Sequence, residues 1–200
     1  MIPRGKLLPF RLAADTGEAL SDEALLAASV IGDSTALGAL FDRRHLSVYR
    51  FLARLSGTDR RDLDDLVQAT FVEVARSAAR FRGGSNVLTW IFGIAANVAR
   101  HHTRGEVRRR SALAALGWQP VPAAVRPDEL TEQRDIMNRA QRVVAALPHD
   151  LRVVFVLCEI EEVSGVDAAR ALGVRPGTVW RRLHEARVAI RNAFLTGESP

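Results

Sequence analysis

Apolar residues recur along this chain at helical spacing, and the pattern predicts a series of helices separated by short polar breaks. The first helical stretch covers 21–55: Ser21 is an N-cap candidate, and Leu37, Leu40, Phe41 and Val48 follow. It is interrupted near Gly32-Asp33 and stopped by Gly57-Thr58-Asp59. The clearest helix follows, with Leu63, Leu66, Val67, Thr70, Phe71, Val74 and Ala78 repeating at i, i+3, i+4, i+7 and i+8. Its other face presents Asp64, Asp65, Gln68, Glu73 and Arg76, a set that an ordinary solvated face would also carry.

Paired glycines make 81–86, reading Phe81-Arg82-Gly83-Gly84-Ser85-Asn86, a loop. Helical patterning resumes over 89–104, with Ile91, Ile94, Ala95 and Val98 on one side. Its end is basic: Arg100, His101, His102, Arg104, Arg108, Arg109 and Arg110 are opposed only by Glu106. The period dissolves over 111–132, where Gly117, Pro120, Pro122 and Pro127 resist regular structure.

Helices are expected again over 133–146, 149–161, 164–172 and 176–194. The last two have the form of a helix-turn-helix: Ala169 is the small residue at the crossing, Gly173 lies four further on in the turn, and Val179 anchors the second helix. Val179, Leu183, Ala186 and Ile190 form the inward stripe of that helix. Arg175, Thr178, Arg181, Arg182, Glu185 and Arg187 are left for the outside, which suits a helix among phosphates and equally a solvated arginine-rich face.

The expected organisation is therefore all-α: a flexible leader over 1–20, a helical domain over 21–106, a linker over 107–132, and a second helical domain over 133–200. Each domain is near the lower limit for a self-sufficient core.

Composition narrows the chemistry. Of 200 residues 48% are apolar but only 6% aromatic, which favours helix packing on helix. The net charge of +5 comes from arginine, since Lys6 is the only lysine, and the arginine fork suits phosphate. Cys158 is the only cysteine, which excludes an intrachain disulfide and any zinc site needing several thiolates; it sits in an apolar run where a core thiol is the ordinary reading. No apolar stretch reaches the roughly 20 residues of a membrane span. The expectation is a soluble cytoplasmic protein without membrane insertion.

Histidines 45, 101, 102, 149 and 184 form no metal-ligand or triad spacing, so neither an enzyme nor a metal or cofactor site is expected.

Three motifs in order then carry a resemblance over about 22–195. They are Asp64-Asp65-Leu66-Val67-Gln68-Ala69-Thr70-Phe71; Phe81-Arg82-Gly83-Gly84 with Thr89-Trp90-Ile91 and Ile94-Ala95-Ala96-Asn97; and Leu147-Pro148 with Gly177-Thr178-Val179-Trp180-Arg181-Arg182-Leu183-His184-Glu185-Ala186-Arg187. Together these resemble the extracytoplasmic-function (ECF) group of the sigma-70 family of bacterial transcription initiation factors.

The resemblance implies that the first domain binds core RNA polymerase (β′ and β subunits) and recognises and melts the promoter -10 element, while the second recognises the -35 element. It makes Asp64, Asp65, Gln68, Glu73 and Arg76 candidate polymerase contacts. For -10 DNA it implies Phe81, Arg82, Gly83, Gly84, Ser85, Asn86, Trp90, Asn97, Arg100, His101 and Arg104. For -35 DNA it implies Arg175, Thr178, Trp180, Arg181, Arg182, His184, Glu185 and Arg187. Within that last set base reading is assigned to Arg181 and Glu185, and phosphate contact to Arg175, Thr178 and Arg187.

Trp90 is either a stacking face for a base or a plug between helices. The linker either threads toward the polymerase cleft or is an inert tether. An anti-sigma protein is a further candidate partner.

The chain departs from the family pattern at Ala69, where glutamate is usual, at Ala96 and His101, where arginine and aspartate are common, and at Trp180 and Arg181, where lysine and serine are frequent. Promoter choice cannot be carried over from relatives on this account. The rival reading is a helix-turn-helix regulator that binds DNA without serving as a polymerase subunit, and it leaves 22–104 unexplained.

Overall fold

The computed structural model describes residues 20–56, 60–115 and 132–195, with side chains described throughout except at 56, 60, 61, 110, 113, 114 and 132–138. Among the described residues there are eight α-helices and no strand. They are α1 (Asp22–Val30), α2 (Ser34–Ser56), α3 (Arg60–Ser77), α4 (Val87–Ala115), α5 (Glu132–Ala146), α6 (His149–Phe155), α7 (Gly165–Leu172) and α8 (Pro176–Leu195). A short 3-10 turn (Ala78–Arg80) follows α3, and a π turn (Val156–Ile160) prolongs α6. The expected stop at 57–59, residues 1–19 of the leader and residues 116–131 of the linker lie outside the described residues.

Side-chain caps fix the starts of these helices by satisfying amide donors that have no partner inside the helix. Ser21 Oγ accepts from the Ala24 amide at 3.2 Å, and Asp33 Oδ1 accepts from the amides of Thr35 and Ala36 at 2.9 and 3.1 Å. Ser164 Oγ accepts from the Asp167 amide at 3.1 Å and donates its own proton to Asp167 Oδ2 at 2.7 Å. At the other end of α7, Gly173 takes φ +65°, and the Val174 amide turns back to the Ala169 carbonyl at 3.0 Å. This left-handed stop is the turn of the helix-turn-helix.

The first bundle, α1–α4, closes over Leu26, Leu40, Phe51, Leu52, Val74 and Ile91. The Phe51 and Phe92 rings stack at 4.5 Å, and Phe41 meets Phe71 edge-on at 4.8 Å. Each such side chain contributes about 1.5–3 kcal/mol by leaving water. The second bundle, α5–α8, is built on Val143, Val154, Leu157, Val179 and Leu183.

Two features differ from the periodicity. α4 does not end near 104 but runs to Ala115, through residues 107–115 that were assigned to the linker. Its arginines are good helix formers, and an Arg109–Glu106 pair at 3.0 Å supports the extension. In addition, the buried apolar cluster is continuous between the bundles: Val48, Phe51 and Ala96 belong to the same cluster as Val153, Leu157, Ala168 and Ala169.

Candidate functional site

Three groups of predicted residues fall on three surfaces. On α3, the apolar stripe Leu63, Leu66, Val67, Thr70, Phe71 and Val74 is buried, which leaves Asp64, Asp65, Gln68 and Arg76 exposed and Glu73 half-buried. Glu73 reaches Arg76 at 3.8 Å, a weak surface pair. Asp64 and Gln68 line an open cleft of about 630 Å³ with Phe41, His45, Leu46, Tyr49 and Val67. Leu46 is 56% exposed there and Val72 nearby is 50% exposed. Leu46, Tyr49 and Val72 thus place apolar surface beside the polar rim, which the sequence reading did not anticipate. The available signal was that Leu46 stands off the inward stripe of α2, where Ala36, Leu40, Val48, Phe51, Leu52 and Leu55 are buried.

The second group lies along the loop 81–86 and α4. Gly83 and Gly84 adopt φ +71° and +80°, conformations that side chains resist, and so turn the chain sharply between α3 and α4. Asn86 is the N-cap of α4: its Oδ1 accepts from the Leu88 amide at 2.7 Å. Trp90 is half-buried and tilts against Phe81, with ring centroids 5.4 Å apart. Its remaining surface lines a cleft of about 520 Å³ with Glu73, Asn97, His101 and Ala171. Trp90 is thus partly a packing residue and partly a wall of an open cleft.

Arg82, Asn97, His101 and Arg104 are exposed, and Phe81 and Ser85 are half-buried. Arg100 is half-buried and pairs with Asp150 at 2.5 Å.

On α8, Val179, Leu183 and Ala186 are buried and Ile190 is half-buried, so the inward stripe is as expected. Arg175, Trp180, Arg181, His184 and Arg187 are exposed, and Thr178 is half-buried. Arg181 and Glu185 pair across one turn at 2.7 Å, and Arg187 reaches Glu159 at 2.5 Å. Arg182, expected on the outside, is only 19% exposed and is held by Asp150 at 2.7 Å.

Trp180 is 54% exposed, yet one edge of its indole lies on the backbone of buried Gly165, where a Cβ would stand 2.5 Å from the ring. This partnership joins residues fifteen apart and was not visible in the sequence.

Two further titratable groups, Cys158 and Glu161, are shifted by burial. Burial pushes the half-buried Cys158 thiol above its usual range, with Glu159 adding to the effect, so the thiolate is suppressed rather than activated. Burial also raises the Glu161 carboxyl against the opposing pull of Arg54, its partner at 2.5 Å. Among the described residues no group of His, Cys, Asp and Glu has the arrangement of a metal site, and no helix is long and apolar enough to cross a membrane.

Comparison with known proteins identifies the family of the chain. Residues 40–109 match the family model for sigma-70 region 2, and residues 137–190 match that for sigma-70 region 4. The ECF RNA polymerase sigma-E factor of Haemophilus influenzae is 31% identical over 88% of this chain and 96% of its own length. The ECF RNA polymerase sigma factor SigM of Mycobacterium tuberculosis is 34% identical over 85% of this chain and 83% of its own.

Among solved structures, CnrH in complex with the cytosolic domain of CnrY superposes with a TM-score of 0.62 at 26% identity, covering 89% of this chain and 99% of that one. The fold is also that of the sigma factor RpoE of Bartonella quintana, solved with the anti-sigma factor NepR, at a TM-score of 0.58, 22% identity, and coverage of 80% and 98%. With two region models in their proper order and relatives matched over nearly their whole length, the chain belongs to the ECF RNA polymerase sigma factors of the sigma-70 family.

Proposed function

We propose that three surfaces divide the work of this sigma factor, with domain 2 at 21–106 and domain 4 at 133–200. As an ECF sigma factor the chain binds core RNA polymerase and directs it to promoter DNA. The polymerase surface is the outer face of α3, with Asp64, Asp65, Gln68, Glu73 and Arg76, of which Asp64 and Gln68 line the cleft together with Leu46, Tyr49 and Val67. Exposed carboxylates beside exposed apolar surface suit a protein partner better than DNA, whose phosphates they would repel.

The -10 surface is the loop 81–86 with Trp90, Asn97, Arg100, His101 and Arg104 of α4. A base that leaves the duplex stack needs an aromatic wall, polar groups at its edge and cations for its phosphate, and the cleft beside Trp90 brings Asn97 and His101 together with that wall. The -35 surface is the outer face of α8, with Arg175, Thr178, Trp180, Arg181, Arg182, His184, Glu185 and Arg187.

The chain performs no chemical step in this reading: polymerase carries the catalysis and the sigma factor its placement. An anti-sigma protein is the further partner we propose. The observation that carries the whole is that the exposed carboxylates Asp64 and Asp65 of α3 lie beside exposed apolar surface, whereas α4 and α8 present exposed arginines.

The decisive experiment is binding and run-off transcription with core polymerase on a genomic library, comparing the native chain with an Asp65→Arg, Gln68→Ala variant. Both substitutions lie off the apolar stripe, so helical content should hold while affinity for core polymerase falls at least tenfold, as loss of a hot-spot pair would produce. Normal transcription by the variant removes α3 from the polymerase surface.

A further inference from the structure

Where α6 ends, the backbone leaves the α-helical period. The Glu161 amide donates to the Val156 carbonyl oxygen at 3.0 Å, five residues earlier, and the resulting π turn spans Val156–Ile160. A π turn takes in an extra residue, so by Glu159 the side chains have swung roughly a fifth of a turn from where a continued α-helix would put them. Such turns are rare, and they recur at functional sites.

What this turn aims is Glu159. Its Oε1 accepts from Nε of Arg187 on α8 at 3.1 Å and from Nη2 of the same guanidinium at 2.5 Å. Glu159 also lines a cleft of about 600 Å³ with the apolar side chains of Phe155, Ile160 and Ile190, which confine its stem. The arginine side chain is 58% exposed and the glutamate 34%, so the surface presents the cation first.

A guanidinium carries five N–H donors in one rigid plane. Glu159 occupies the Nε edge, which leaves the end-on pair, one N–H from each Nη, for a second acceptor with two oxygens. Arg187 stands two helical turns beyond Trp180 and beside the buried stripe of Leu183 and Ala186, hence on the flank of α8. In a major groove the flank of a helix meets the phosphates of the groove wall.

The other paired arginines of α8 differ. Arg181 takes Glu185 from its own helix, and Arg182 is only 19% exposed beneath Asp150. Of the three, Arg187 alone combines an open guanidinium with a carboxylate supplied from a separate element.

We propose that Glu159 is a positioning residue of the -35 surface, holding Arg187 so that the free end of its guanidinium clamps one DNA backbone phosphate through two parallel N–H donors. This rests on the assignment of α8 to -35 DNA. Glu159 itself meets no DNA, and its charge taken alone repels phosphate. It therefore aids binding only through Arg187, and the two residues act as one unit.

The test uses holoenzyme assembled from the full chain and core polymerase. The probe is a fluorescent duplex bearing a promoter that the native holoenzyme transcribes from the genomic library. Affinity is measured across a salt series, since each phosphate contact adds about 0.9 to the slope of log affinity against log salt. Arg187→Ala should weaken binding about tenfold, the order of one charge-assisted contact, and flatten the slope by about one. Glu159→Ala should do nearly the same although it removes a negative charge, and the double variant should be no worse than Arg187→Ala alone. Glu159→Gln, which keeps the acceptor oxygen, should recover part of the loss.

Unchanged or tighter binding by Glu159→Ala overturns the proposal, because the carboxylate is then only a neighbour of the DNA. A loss that persists in the Arg187→Ala background also overturns it, and makes Glu159 a support of the π turn. If Arg187→Ala changes neither affinity nor slope, the -35 assignment of that arginine falls, and the positioning role falls with it.

Discussion

Asn86 shows how one side chain can hold two roles that a simple truncation would confuse. It was expected at the -10 element, and its Oδ1 also caps α4 through the Leu88 amide. Asn86→Ala removes the cap, at about 1 kcal/mol, together with any base contact. Asn86→Asp keeps the acceptor and replaces the amide donors with a carboxylate charge. Permanganate footprinting should show fewer open complexes with both variants if the amide reads a base, whereas recovery with aspartate makes the residue a cap alone.

Trp180 and Gly165 allow a similar separation. A methyl group on Gly165 has no room beneath the indole, so Gly165→Ala should cost about 1–3 kcal/mol of overpacking and change -35 selection. In a Trp180→Ala background the same substitution should be nearly neutral, and equal costs in both backgrounds in a thermal double-mutant cycle would show that the ring does not set the penalty. At this scale the sequence revealed what is local: the Ser21 cap, the Gly173 turn and the inward face of α3. It hid what joins distant residues, including Gly93 beneath Ala171, Gly165 beneath Trp180, and the two arginines on Asp150, because no periodicity encodes a crossing point.

Among elements, α3, α7 and α8 stand close to where spacing put them, because each buries one clean stripe, and α7 is bounded by the Ser164 cap and Gly173 while α8 opens on Pro176. α4 outruns its apolar stripe because local helix preference and ion pairing continue where burial stops. The start of α6 introduces a pH dependence that the sequence did not suggest. His149 offers Nε2 to the Ala96 carbonyl of α4 at 3.2 Å, and a carbonyl only accepts, so that nitrogen carries the proton. Burial first, then the neighbouring Arg100 charge, lowers the pKa of this imidazole below its ordinary value; Arg152 works the same way, while Asp150 and the Ala96 bond oppose. The unfolded chain therefore binds a proton more readily than the folded one. The stabilising neutral state is fully present above the ordinary histidine value of about 6.5 and is lost as pH falls from there toward the depressed folded value. The melting temperature should drop between about pH 7.5 and pH 5.5. His149→Gln, which can still donate to Ala96, should flatten that window, and an equally steep profile in the variant would place the proton uptake elsewhere.

At the scale of the whole molecule, the chain has two bundles by its family and its motifs but one buried cluster by its packing. Small helical bundles of this size bury little surface for their length, so each gains from the other. Val153, Leu157, Ala168 and Ala169 complete a core that Val48, Phe51 and Ala96 begin, and Arg152 of α6 reaches across to the carbonyl of Leu55 at the end of α2. Such continuity predicts a single cooperative transition, in which the calorimetric enthalpy of the full chain equals the van't Hoff enthalpy. Gly93→Ala should break that equality, because a Cβ there would stand 2.1 Å from the Ala171 carbonyl oxygen of α7. With α7 unseated, the second bundle loses its apolar neighbour and should melt first, and the single peak should divide into two, the earlier one belonging to α5–α8. Chemical-shift changes confined to that bundle during the first transition would assign it. Two peaks in the unaltered chain would instead mean that the bundles unfold independently, and that their shared cluster adds too little to couple them.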